Sequence, residues 1–226
     1  MNRATKIIVS TIGVLLGIAG LDHGIFEILQ GNIPTDGLII QAIGDVQQMW
    51  FYGTEEAFTL IPNFLVTGFL AVLLSLAIII WSVWFLPAKH GASVFGLLFI
   101  LLFLVGGGIA AQVVFVPVTW AAATRINKPL TWWREVLPES LREILAKAWP
   151  FSLGLGMMSF LIGLFIAVTG YIPGLSDPER ILNTCWAFIF GGGWGMFLLT
   201  FVAGFADDIQ TKKMEDARFA QQGIAK

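Results

Sequence analysis

The chain has 226 residues, of which 57% are hydrophobic and only 12% charged, with a formal net charge of −2. Soluble domains carry about 25% charged residues, so this composition excludes an ordinary soluble domain. There is no basic block or basic-aromatic motif, which sets nucleic acid aside as a partner, and the single cysteine, Cys185, rules out an intrachain disulfide or a CxxC zinc or redox site.

The charges are segregated. Asp, Glu, Lys and Arg are absent from residues 57–88, 90–124, 148–176 and 181–206. Each run exceeds the ~20 residues that a helix needs to cross the hydrocarbon core. The runs are continuous rather than alternating, which excludes a membrane β-barrel. The expected fold is all-α: a polytopic membrane helical bundle of about five transmembrane helices plus two interfacial amphipathic helices. The expected spans are about 7–29, 59–86, 93–117, 151–170 and 178–205, in one domain over 1–206, followed by a charged tail over 207–226.

Arg3 and Lys6 precede an apolar stretch that resembles the start of a signal peptide, but Ile18-Ala19-Gly20 is a poor cleavage site. Helical spacing also continues through Glu27, so 7–29 reads as a membrane helix. Gly13, Gly17, Gly20 and Gly24 recur at helical spacing and form a smooth seam for close helix packing. Residues 31–34 end the span. The next stretch places Ile39, Ile40, Ile43, Val46, Met49 and Trp50 on one helical face and Gln41, Asp45, Gln47 and Gln48 on the other. It is expected as an interfacial helix anchored by Trp50 and Tyr52. Thr59 is the expected cap of the second span, with Pro62 in its first turn. The third span contains Gly106-Gly107-Gly108, and Pro117 is expected to end or kink it.

Residues 119–149 form a second polar excursion divided by Pro129, Pro138 and Pro150. Its second half has an apolar face of Leu141, Ile144, Leu145 and Ala148, again at the interface. The fourth span follows Pro150. Ser176 and Glu179 form the expected capping box of the fifth, with Pro178 in its first turn. Gly191 and Gly195 give this last span a second packing seam. The stretch 90–124 is also long enough to hold a further, partial crossing.

Five spans put the two termini on opposite sides. Arg125, Lys128, Arg134, Arg142, Lys147, Lys212, Lys213, Arg218 and Lys226 then share a side, against Arg3, Lys6, Lys89 and Arg180. The positive-inside rule makes the C-terminus cytoplasmic and the N-terminus external in the cell membrane.

The candidate site is Asp22, His23 and Glu27 with Asn63 and Gln112. Ionisable groups at membrane depth are costly and face a cavity or one another. His23 and Glu27, at i,i+4, can point the same way. They can relay protons, contribute two weak ligands to a metal, or hydrogen-bond each other, Gln112, Asn63 or Arg125 as packing contacts. A haem held by two histidines is disfavoured, because the only other one, His90, belongs to the far end. HExxH, GxSxG, SxxK and nucleotide-loop patterns are absent. The expected function is a small permeation or transport element, or an accessory membrane subunit, proton-linked through His23 and Glu27. The alternative is a membrane-embedded enzyme or redox subunit binding a metal, haem or quinone at the same cluster. No cofactor is favoured. The expected partners are the lipid bilayer and either further copies of the chain or a larger membrane complex.

Overall fold

The computed structural model describes residues 1–221 and 223. It is an all-α membrane helical bundle, 70% helical. The elements in order are α1 (Arg3–Gln30), β1 (Ile39–Ile43), β2 (Glu55–Phe58), α2 (Phe64–Trp84), α3 (Gly91–Phe103), α4 (Ala110–Val114), α5 (Val116–Ala123), α6 (Thr131–Val136), α7 (Glu139–Thr169) and α8 (Pro178–Trp186). A π-helical segment, Ala187–Trp194, then leads into α9 (Gly195–Gln221). Among the described residues, four continuous helical stretches are long and apolar enough to cross a membrane: α1, α2, α7, and α8 through α9.

The packing is that of a membrane protein. On α2 the fully buried positions are Thr67, Ala71, Ser75, Ile78 and Ser82, while Phe69, Leu73 and Ile80 are exposed. Small and hydroxylated residues face the protein, and large apolar ones face outward. That inverts a soluble helix and suits lipid. Helix α1 is central, packing on α2, α5, α9 and the hairpin. Its glycine seam lies against α2 and α3: Gly13 on Ser82 and Phe95, Gly17 on Ile79, Gly20 on Ser75 and Leu102. A Cβ at Gly24 would come within 2.9 Å of the Gly68 carbonyl, so the two backbones nearly touch there.

Following the chain defines two ends. The N-terminus, the α2–α3 turn and the segment after α5 meet at one end. Asn2 donates from its backbone N–H to Ile126 O (2.7 Å). Its side chain bonds Arg125 O (2.7 Å), and Asn127 bonds Pro87 O (2.8 Å). Asp208 of α9 joins them, accepting from the backbone N–H groups of Ala4 and Thr5 (both 2.9 Å) and from Thr5 Oγ1 (2.6 Å). This is the terminal end. The opposite, hairpin end holds β1, β2 and the α7–α8 turn, where Trp50 Nε1 donates to Ala167 O (2.7 Å).

Several expectations change. The stretch expected as the first interfacial helix is an antiparallel β-hairpin pairing Ile39 with Phe58 and Ile40 with Ala57. Ile40 and Ala42 turn inward, and Ile39 and Gln41 turn out. The second expected interfacial helix is not separate: its apolar face forms the first turns of α7, which runs unbroken through Pro150. Membrane helices tolerate such a proline when neighbouring groups cover the lost bond. Asn63 rather than Thr59 caps α2, accepting from Val66 N (3.1 Å), and Asp177 rather than Ser176 caps α8.

The largest change concerns the expected third span, 93–117. It is a helical hairpin. Helix α3 rises from the terminal end, the chain turns at residues 104–109, and α4 and α5 return to where α3 began. Gly96 of α3 packs on Trp120 of α5. The added return leg brings the N- and C-terminal regions to the same end of the bundle, where five spans would put them at opposite ends. The expected tail is helical as far as Gln221, while Lys226 lies outside the described residues.

Candidate functional site

The site is built on the last turns of α1 where they meet the tip of the helical hairpin. His23 and Glu27 are one turn apart and both are buried. Three consecutive glycines let the tip approach them. Gly106 and Gly108 have φ of +95° and +87°, a left-handed conformation that side chains resist. Gly106 lies against the Glu27 carboxylate, and a Cβ on Gly108 would stand 2.7 Å from His23 Nε2. The tip is fastened to the β-hairpin. Gly106 N donates to Phe58 O (2.9 Å), Leu60 N to Leu104 O (2.9 Å) and Ile109 N to Glu56 O (3.4 Å). Phe58 stacks on Phe103 with ring centroids 5.1 Å apart.

His23 does not pair with Glu27, Asn63 or Arg125. Its Nε2 faces Glu55 Oε2 of β2 at 2.8 Å. Burial works against ionising Glu55, but the hydrogen bond and positive charge of His23 outweigh it and hold the carboxyl below the usual Glu range. Glu55 is the site residue that sequence reasoning missed. Its signal was the adjacent acidic pair Glu55-Glu56 running into Ala57-Phe58. On a strand, neighbouring side chains point to opposite faces, so one of two adjacent acids must turn inward. Here Glu55 and Ala57 turn in and Glu56 turns out.

Glu27 is wholly buried, and among the described residues neither of its carboxylate oxygens has a hydrogen-bond partner. The backbone N–H groups beside it are committed elsewhere: Gly106 to Phe58 O, and Gly107 to Leu102 O (2.9 Å). Gln112 also borders the tip. It is buried, donates from Nε2 to Gly107 O (3.3 Å), and leaves Oε1 without a partner. Asp22 sits beside His23, half-buried.

The remaining candidates fall elsewhere. Asn63 is a helix cap bonded to Asn32 Oδ1 (2.8 Å), outside the cluster. Asp208 and Arg125 are at the terminal end, and so is His90, so no second histidine approaches His23. Among the described residues no three His, Cys, Asp or Glu side chains converge as a metal site. In the last span, Gly191 meets nothing within 4 Å and Gly195 touches only Phe190 O at 3.7 Å. The glycines that pack are their neighbours Gly192, on Ser159, and Gly193, near Phe160. The π-helix has more residues per turn, so it rotates the seam away from the positions that α-helical spacing selects.

No family model, curated protein or solved structure matches the chain.

Proposed function

We propose that this chain is a small proton-linked permeation element of the membrane, with Glu27 as the proton-carrying group and His23 and Glu55 as the relay to the hairpin end. The observation that carries the reading is Glu27: a fully buried carboxylate with no hydrogen-bond donor and no basic partner. A carboxylate in that setting is costly unless it takes up a proton or another cation. A structural carboxylate would have captured one of the neighbouring N–H groups, and these are spent on carbonyls instead. His23 is the side chain best suited to pass protons near neutral pH, and it stands one turn away. Its partner Glu55 is 28% exposed in its side chain, which gives the relay an outlet at the hairpin end.

The terminal end is proposed as cytoplasmic, with both termini inside. The support is charge. Among the described residues every Lys and Arg belongs to that end except Arg180. The positive-inside rule therefore favours it strongly.

The test is reconstitution into liposomes containing a pH-sensitive dye under an imposed proton gradient. The wild-type chain carries protons; Glu27→Gln removes at least nine-tenths of the flux, and Glu139→Gln at the other end leaves it unchanged. Flux no greater than that of empty liposomes, or undiminished in Glu27→Gln, overturns the reading. Thiol labelling of a cysteine placed at Thr35, against one at Lys212, tests the orientation: from outside intact cells only Thr35 should react.

A further inference from the structure

Charge and ligand type around the hairpin tip point beyond the proton. Several side-chain acceptors at the site lack a donor. Glu27 Oε1 and Oε2 and Gln112 Oε1 are buried oxygens without partners around one glycine turn. The turn itself follows the C-terminal end of α3, the negative end of that helix's dipole, and its Leu104, Val105 and Gly107 carbonyls point outward to Leu60 N, Thr67 Oγ1 and Gln112 Nε2, each with a second lone pair to offer. That end of α3 attracts a cation.

The number of carboxylates that converge sets the valence. His23 and Glu55 compensate each other at 2.8 Å. Arg180, the one basic residue described at this end, is largely exposed and faces Asp177 at 3.6 Å. Glu27 is therefore left without a counter-charge of its own, and Asp22, half-buried beside His23, adds a further carboxylate to this end. A divalent ion held by protein needs several carboxylates, and no such group converges here among the described residues. One carboxylate, an amide oxygen and the carbonyls of an unwound membrane segment form the ligand set of a small, hard, monovalent cation.

We infer that the Glu27 site binds Na+, which occupies the carboxylate in place of the proton, with Gln112 Oε1 and the carbonyls of the 104–108 turn completing its oxygen shell. The inference deepens the proton-linked reading, because one carboxylate that holds either cation but not both exchanges one for the other.

Thermal unfolding of the purified chain in detergent tests it, with sodium chloride compared against choline chloride at equal ionic strength and fixed pH. A ligand that binds only the folded state raises the midpoint by a roughly constant step for each tenfold rise in concentration above its Kd. Sodium chloride should produce such a rise and choline chloride should not. Glu27→Gln should abolish it. Gln112→Leu, which keeps the carboxylate, should weaken the apparent affinity about tenfold, equivalent to the loss of one good ligand; it also serves if Glu27→Gln fails to fold by circular dichroism. Equal effects of the two salts overturn the inference, as does a sodium response that survives both substitutions. The two readings fail separately. Liposome proton flux without a sodium response removes the sodium site and leaves the proton path. A sodium response without flux leaves the site and removes the path.

Discussion

Two glycine triplets of identical sequence meet opposite fates in this chain. Gly106-Gly107-Gly108 breaks its helix, reverses the chain and adopts positive φ at its first and last members. Gly191-Gly192-Gly193 stays helical, widened into a π-helix between α8 and α9. The difference lies in what surrounds them. The first triplet meets a strand edge, and Phe58 O, Glu56 O and Leu60 N take up backbone groups that a helix would have paired internally. The second is flanked by helix on both sides and packed on α7, where Ser159 and Phe160 meet it and Gly163 fits Ile189. In lipid an unpaired backbone group has no water to turn to, so a glycine run unwinds only where something else accepts its bonds. Glycine permits the break; the β-hairpin causes it.

Substitutions at the two triplets should therefore differ in size and kind. Gly106→Ala is the largest expected effect. It combines a strained positive φ with a methyl group pressed into the Glu27 carboxylate, and should cost about 2–4 kcal/mol by thermal or denaturant unfolding in detergent. In a Glu27→Ala background the crowding is relieved and only the backbone strain, about 1–3 kcal/mol, should remain. An unchanged cost there would show that the contact with Glu27 is unimportant. Next is Gly192→Ala, which crowds Ser159 without any φ penalty and should cost about 1–2 kcal/mol. Gly191→Ala, facing open space, should be neutral or stabilising by up to about 1 kcal/mol, from improved helix propensity. If Gly191→Ala costs as much as Gly192→Ala, the π-helical register is wrong.

Two further outcomes concern what the first triplet covers. Glu27→Met replaces an unpartnered carboxylate with an apolar chain of similar length. It should raise the unfolding midpoint while abolishing flux, the pattern of a residue kept for function at the expense of stability. The smallest effect concerns pH. Glu55 ionises below the usual Glu range because His23 holds its charged form. Its contribution to stability is thus complete above the unfolded value of about 4.3 and is lost as pH falls through the depressed folded value. Glu55→Gln should flatten that acid limb of a midpoint-against-pH curve. An identical limb in both proteins would mean that the pair contributes nothing.

The charge-free runs were enough to identify a membrane helical bundle, because a stretch without charges over 20-odd residues has few other homes. Two physical ambiguities defeated finer reading. Ile39, Ile40 and Ile43 fit a helical face, but Ile40 and Ala42 fit strand alternation equally well, and short apolar runs do not distinguish the two. Only the antiparallel partner at Glu55–Phe58 decides between them. The second ambiguity was parity. Counting 93–117 as one crossing instead of a rise and a return shifts every later loop to the other end of the bundle, and separates Arg3 and Lys6 from basic residues that stand at the same end. Of the candidate site, His23, Glu27 and Gln112 do surround one turn, whereas Asn63 is a cap. Glu55 escapes a helical reading of this stretch, because on a helix two adjacent acids imply nothing about which one is buried.

The carboxylate of Asp208 has a consequence for how the molecule is made. Helix α1 begins with Arg3 and Lys6, charges of the wrong sign for the positive end of a helix dipole, and its first free N–H groups at Ala4 and Thr5 find their acceptor only in Asp208. Synthesis delivers that acceptor some two hundred residues later, on the last descending helix. Until then the first turn of α1 lacks this acceptor, and water must serve its donors. Once α9 docks, the same bond closes the bundle. Asp208 thus ties together two helices some two hundred residues apart in the chain, so α1 gains its cap only through tertiary packing.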